Sequence, residues 1–181
     1  MEFMEVIKTR HSVRAYENRE VDEEKFERIL ECARLAPSAR NSQCWNFIVV
    51  KDKGTIERLS EACGLLNPWL KKAPAVIIGC ANPDTSVSRN GMDYYLVDLA
   101  IAMEHLVLAA TDQGLGTCWI AGFSEEKVKE ALEIPKEVKV VAMTPIGYPA
   151  QKESIGSSLV KMLARTSKRK PMQEIVHREK W

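Results

Sequence analysis

Residues 91–113 read GMDYYLVDLAIAMEHLVLAATDQ, the longest helical pattern in the chain. Leu96, Leu99, Ala100, Met103, Leu106, Val107 and Ala110 recur at helical spacing. Val97, Ala102, Leu108 and Ala109 put apolar residues on the remaining faces. A helix that is apolar nearly all round belongs at the centre of a protein or at a subunit contact. Asp98, Glu104 and His105 interrupt it, so Leu96–Ala110 reads as too short and too polar to cross a bilayer. Gly114 and Gly116 end the helix and lead into TCWI, a short strand.

On either side the elements alternate irregularly between helix and strand. Glu2–Thr9 reads as a short helix, with Phe3, Val6 and Ile7 apolar. Asp22 reads as the N-cap of a helix reaching about Leu35, with Phe26, Ile29, Leu30 and Ala33 on one face and Pro37 as its stop. Trp45–Val50 (WNFIVV) and Ala75–Cys80 (AVIIGC) are short apolar runs of the kind that form buried strands. A helix over about Thr55–Ala62 separates them, and Asn82–Asn90 reads as a polar loop. Ser124 caps a further helix that carries Glu125 and Glu126 in its first turn. Lys139–Ile146 is a strand in which Pro145 argues for an end or an edge. Gln151–Lys170 is polar and basic, with a possible helix over Ser158–Ala164, and Met172–His177 alternates weakly like a last extended segment. The class is α+β, a central mixed β-sheet flanked by helices, in a single domain over residues 1–181.

Composition narrows the function. Lys+Arg number 26 and Asp+Glu 25, a net charge of +1, so nothing global draws the chain to nucleic acid or to an anionic membrane. The first residues, MEFMEVIKTR, lack an apolar leader segment, and a cytoplasmic protein is expected. Five cysteines and three scattered histidines show no metal-ligand spacing. Cys32, Cys80 and Cys118 read as buried free thiols.

Four clusters carry chemical potential. In Arg10-His11-Ser12-Val13-Arg14 an extended backbone puts Arg10, Ser12 and Arg14 on one face, a phosphate site of two guanidiniums and a hydroxyl. A helical backbone keeps the two arginines together and turns Ser12 away, and a solvated basic turn needs no ligand at all. Residues 36–45, APSARNSQCW, form a loop dense in short polar groups, where Asn41 and Gln43 suit the edge of a heteroaromatic ring and Ser38 and Asn41 equally suit a capped turn. Gly114 to Phe123, GLGTCWIAGF, has glycines on both sides of a strand but lacks the pattern of a Rossmann nucleotide site. Arg165–Lys170, RTSKRK, is a charge run able to close over a phosphate or to lie solvated.

Together RHSVRAY, APSARNSQCWNFIVV, DLAIAMEHLVLAATDQGLGTCWIAGF and RKPMQEIV resemble the FMN-dependent nitroreductase family in order and spacing over nearly the whole chain. The resemblance implies an intertwined homodimer with FMN in two interface pockets. By analogy Arg10, Ser12 and Arg14 hold the phosphate and ribityl chain, with Arg14 or its neighbours near the pyrimidine edge of the ring, and His11 is among the cofactor-binding residues. Pro37, Ser38, Ala39, Asn41 and Gln43 line the pocket, some of them from the partner, and Asn67 lies at the ring. Ile120, Ala121 and Gly122 lie beside the reactive ring nitrogen, with the Gly122 amide as its donor, and Lys168 and Arg169 return to the phosphate. Ser167 stands where many members carry lysine, and Ala121 where many carry an acidic residue.

The activity this implies is electron transfer from NADH or NADPH through the flavin, by a ping-pong mechanism, to a small acceptor such as a nitroaromatic, a quinone or free flavin. The cofactor carries the hydride chemistry, so no side-chain acid or nucleophile is required. The alternatives are a flavin carrier or sensor without useful turnover, and a member specialised for dehalogenation or enoate reduction.

Overall fold

The computed structural model describes residues 1–150 and 169–181. Its frame is a four-stranded sheet in the order β1 (Trp45–Val50), β2 (Ala75–Ala81), β6 (Lys139–Gly147), β5 (Gly116–Thr117). A separate two-stranded ribbon joins β3 (Ser88–Arg89) to β4 (Met92–Asp93). Each neighbouring pair in the larger sheet is antiparallel. The expected mixed character comes down to one parallel bridge, where Ser12 pairs with Thr117 beyond the β5 edge.

Among the described residues five helices flank the sheet: α1 (Phe3–Thr9), α2 (Glu23–Arg34), α3 (Lys53–Ala62), α4 (Tyr94–Asp112) and α5 (Glu125–Leu132). β2 is buried along its whole length, which is why AVIIGCA is continuously apolar. Its alternate residues serve two cores. Ala75 and Ile77 pack with Phe26 and Ile29 of α2 and Leu106 and Ala110 of α4. Val76, Ile78 and Cys80 pack with Ile56 and Leu59 of α3 and Val128 of α5. The result is three layers, helices on both faces of one sheet.

Local chemistry sets most boundaries. Asp52 caps α3 by accepting from Thr55 N at 2.7 Å, so α3 starts at Lys53, ahead of the expected Thr55. Ser124 Oγ accepts from Lys127 N at the start of α5. Asp22 precedes α2 without capping it, because its carboxylate accepts the Tyr148 hydroxyl at 2.9 Å instead. The polar loop expected over Asn82–Asn90 contains a turn at Pro83–Thr85 and half of the ribbon. Asn90 and Gly91 both take positive φ between β3 and β4, the Asn-Gly turn chemistry of a tight hairpin. α4 therefore begins at Tyr94 rather than Gly91.

α4 is 19 residues long with a mean hydropathy of 1.3, long and apolar enough to cross a membrane by those two measures. That corrects the reading of its sequence as too short and too polar. Part of its apolar surface, including Leu99, Ala102, Met103, Leu106 and Ala110, is buried within the subunit, while Leu96 and Val97 stay exposed.

Pro145 lies inside β6, between β2 and β5, and not at a sheet edge. The register that pairs Gly116 with Gly147 and Ile120 with Met143 sets Cys118 opposite Pro145. Proline cannot donate there, so the expected TCWI strand shrinks to Gly116–Thr117 plus the isolated Ile120–Met143 bridge. Met172–His177 is likewise not extended: Met172–Ile175 forms one helical turn. The expected helix over Ser158–Ala164 lies outside the described residues.

Candidate functional site

The RHSVR segment leaves α1 and runs extended along β5. Ser12 bridges Thr117, and Val13 N donates to Thr117 O at 2.8 Å. The approach is close because residue 116 is glycine: a Cβ there would stand 2.7–2.8 Å from Val13. Of the two backbone readings, the extended one is observed. The extended backbone gives Arg10, Ser12 and Arg14 one parity, and the buried Cys118 thiol, next to the Ser12–Thr117 bridge, feels all three. Burial pushes that thiol up, while Arg14, the Ser12 side chain and Arg10 each pull it back.

Arg14 is the distinctive member. Its residue is 8% exposed, and its Nε has no hydrogen-bond partner among the described residues. Among the described residues, its Nη1 donates to the neighbouring Ser12 carbonyl at 3.3 Å. A buried guanidinium so thinly satisfied calls for an anion. The cradle is backed by Tyr16, whose hydroxyl donates to Val13 O at 2.7 Å. Burial raises the Tyr16 phenol well above its ordinary range, so it stays a neutral donor. His11 is exposed beside the cradle, with Nδ1 at 2.9 Å from Thr9 O.

Ile120 is buried and tied to Met143 in both directions, at 2.9 and 3.0 Å. Ala121 and Gly122 follow it out of the sheet and are exposed. Nothing lies within 4 Å of a Cβ built on Gly122, so its backbone borders open space. Asn67 follows the turn after α3 and accepts from Ser60 Oγ at 3.3 Å and Leu70 N at 3.1 Å through its carbonyl. Trp69, two residues on, stands 6.4 Å from the Tyr16 ring, which ties this turn to the cradle segment.

Pro37, Ser38, Ala39, Asn41 and Gln43 are not brought to this place within one subunit. Their loop enters β1 at Trp45, which pairs with Ala81 and through it with Lys139 at the start of β6. Ser12 reaches the sheet at Thr117, opposite Ile146 near the end of β6. The separation is roughly 19 Å across the strands and roughly 23 Å along them, opposite corners of the sheet.

The loop itself is built as a tight unit. Arg40, Asn41 and Gln43 take φ of 52°, 56° and 46°. Ser38 accepts from Asn41 N through its carbonyl and from Gln43 N through its hydroxyl, each at 3.0 Å. The capped-turn expectation for Ser38 is met. The buried carboxylate of Asp98 accepts from Ala39 N at 2.9 Å and from Ser42 Oγ at 3.1 Å. Asp98 was not among the expected site residues, although an acid set among Val97, Leu99 and Ala102 of an apolar helix was its signal. Arg169 is exposed at the start of the last described segment. Ser167 and Lys168 lie outside the described residues.

Residues 7–66 and 61–148 match the model of the Nitroreductase family. A relative from Archaeoglobus fulgidus, provisionally named NADH dehydrogenase/NAD(P)H nitroreductase, is 34% identical over 99% of this chain and 99% of its own. A nitroreductase family protein from Clostridium novyi NT superposes with a TM-score of 0.81 at 43% identity, over 83% of this chain and 87% of that one. An FMN-dependent nitroreductase from Clostridium difficile R20291 superposes with a TM-score of 0.79 at 29% identity, over 98% of this chain and 99% of that one. The cradle, the Ser38–Gln43 loop and the Ile120–Gly122 edge all fall within the matched residues, and the chain belongs to the nitroreductase family.

Proposed function

We propose that this chain is an NAD(P)H-dependent oxidoreductase that holds FMN between two copies of itself and reduces a small acceptor such as a nitroaromatic, a quinone or free flavin. The observation that carries this reading is Arg14, a buried guanidinium whose Nε has no partner among the described residues, on an extended segment whose alternation gives it one face with Arg10 and Ser12. A phosphate monoester supplies the missing acceptor. The relatives named for FMN and for NAD(P)H support the choice of cofactor and reductant.

Bound FMN supplies two-electron chemistry that no side chain offers. The chain's own residues bind and orient it. Arg10, Ser12 and Arg14 take the phosphate end, with Arg169 returning from the C-terminal segment. Ile120 anchors the exposed Ala121–Gly122 backbone at the sheet edge, where the Gly122 N–H would meet a ring acceptor. Asn41 and Gln43 reach the cofactor from the partner subunit, because their own cradle is at the far corner of the sheet. The apolar face around α1 supports that pairing: Phe3, Leu35 and Ile7 are 67%, 63% and 42% exposed. The five cysteines are free, which suits a reducing compartment such as the cytoplasm.

The test is an absorbance spectrum of the purified protein followed by anaerobic NADH and NADPH. A flavin spectrum that bleaches with either nucleotide and returns with a nitroaromatic or quinone is expected. Folded protein that neither carries nor takes up FMN refutes the proposal, and bound FMN that neither nucleotide bleaches refutes the enzymatic part.

A further inference from the structure

We propose that Asp98 is a positioning residue for the flavin site: its buried carboxylate holds the Ser38–Gln43 loop in the left-handed backbone that presents Asn41 and Gln43. This deepens the reading above and rests on its placement of the loop in the FMN pocket.

Asp98 is 2% exposed, in the second turn of α4. A carboxylate withdrawn from water survives only when its oxygens are occupied. No Lys, Arg or His among the described residues pairs with it. What occupies it comes from one short stretch of chain. Oδ1 accepts the Ala39 N–H at 2.9 Å, Oδ2 accepts the Ser42 hydroxyl at 3.1 Å, and the Cys44 thiol lies 4.0 Å from Oδ2.

Those donors bracket the strained residues. Arg40 and Asn41 sit between Ala39 and Ser42, both left-handed at φ 52° and 56°. Gln43 follows at φ 46°. Asparagine tolerates this region, whereas arginine and glutamine carry a steric penalty there. Three such residues in four persist only where surroundings impose the conformation. Asp98 grips the chain on both sides of the Arg40–Asn41 pair, from a helix fixed in the core. Asn41 and Gln43 are left exposed, as a loop serving a neighbouring surface requires.

The experiment compares Asp98→Ala, Asp98→Asn, Arg40→Gly and the Asp98→Ala/Arg40→Gly double variant, as purified full-length protein. Three quantities are read: amide hydrogen exchange over residues 38–44 without FMN, the FMN dissociation constant, and the melting temperature. Asp98→Ala speeds loop exchange by about tenfold or more and weakens FMN by about tenfold, leaving exchange in β2 and β6 unchanged. Asp98→Asn stays within about threefold, because its carbonyl still accepts from Ala39 and its amide can donate to Ser42. Glycine is at ease at positive φ, so Arg40→Gly recovers part of the lost affinity in the Asp98→Ala background. A residue that merely filled the core would lower the melting temperature without that recovery. If Asp98→Ala fails to fold, Ser42→Ala with and without Arg40→Gly runs the same cycle, with about a threefold effect. Unchanged loop exchange overturns the proposal. Faster exchange with unaltered FMN affinity removes the loop from the pocket and overturns the flavin role, while FMN binding by the protein itself still stands. No recovery on Arg40→Gly overturns the assignment of backbone strain.

Discussion

The Cys118 N–H donates to Thr144 Oγ1 at 3.2 Å, and the same hydroxyl donates to the Pro145 carbonyl at 3.2 Å. An uninterrupted ladder would join Cys118 to Pro145 directly. Proline has no N–H to return, and the threonine hydroxyl splices itself into the gap. The consequence reaches the site, because Cys118 lies against the arginine cradle and Ile120 begins the exposed edge. Thr144→Val keeps the shape and leaves a buried N–H unsatisfied, so stability falls by about 1–3 kcal/mol. Thr144→Ser restores most of it. Urea unfolding of the two variants checks this, and equal stability of Thr144→Val and wild type would sink the relay.

Arg14→Ala removes the buried guanidinium from the cradle. FMN affinity drops by roughly tenfold to a hundredfold, corresponding to about 1.5–3 kcal/mol for a charged hydrogen bond. Fluorescence titration of FMN-free protein measures it. Wild-type affinity in the variant would take Arg14 out of the binding site.

Gly116→Ala drives a Cβ to within 2.7–2.8 Å of the Val13 side chain, with both residues buried. Overpacking of this kind costs about 1–3 kcal/mol and displaces Ser12 and Arg14 from β5. Gly122→Ala meets no atom within 4 Å and leaves stability near wild type. Thermal melts of both proteins decide the contrast. Equal melting temperatures would mean that the N-terminal segment yields freely.

Phe3, Leu35 and Cys32 border an apolar cleft of about 430 Å³ with His105 and Leu108 of α4. Phe3→Asp/Leu35→Asp charges that face and converts a dimer to a monomer in sedimentation analysis. Bound FMN is lost with it, since cradle and loop of one subunit stand at opposite corners of the sheet. A monomer that still holds FMN would show that one chain completes the pocket.

Glu125 ties α5 to β6. Its Oε1 accepts Val140 N at 3.1 Å and pairs with Lys129 at 3.1 Å, and Lys139 lies 3.7 Å from Oε2. Burial pushes this carboxyl up, but the Val140 N–H, Lys129 and Lys139 together hold it below the ordinary glutamate range. A depressed carboxyl contributes stability that is full above the unfolded value, about 4.3, and is lost as pH falls through the folded value. Glu125→Gln is therefore less stable than wild type by about 0.5–1 kcal/mol at pH 7, a solvent-screened magnitude. The two converge only as pH falls below the depressed folded value, where wild type has lost the same charge. A difference that persists after the carboxyl has titrated in the folded protein would assign the effect to packing instead.

Much of this architecture was readable because it is written in local chemistry. Apolar runs at Trp45–Val50 and Ala75–Ala81, helical spacing through α4 and the cap at Ser124 each act within a few residues. The Asn90–Gly91 turn was equally legible, but its arms are two residues long and pass for loop. Pro145 misled because its local rule, avoidance of strand centres, is met by a threonine hydroxyl on the preceding residue that no spacing reveals.

By itself the sequence determined most of the elements, the family and the residue types able to grip a phosphate, since periodicity, capping and motif order are properties of the chain. Tertiary structure alone decided that RHSVR is extended against β5, that Arg14 is buried with a nitrogen unsatisfied among the described residues, and that Asp98 meets a loop 54–59 positions away. Those facts depend on which surfaces exclude water and which distant backbones meet, and only the packed sheet with its helices settles both.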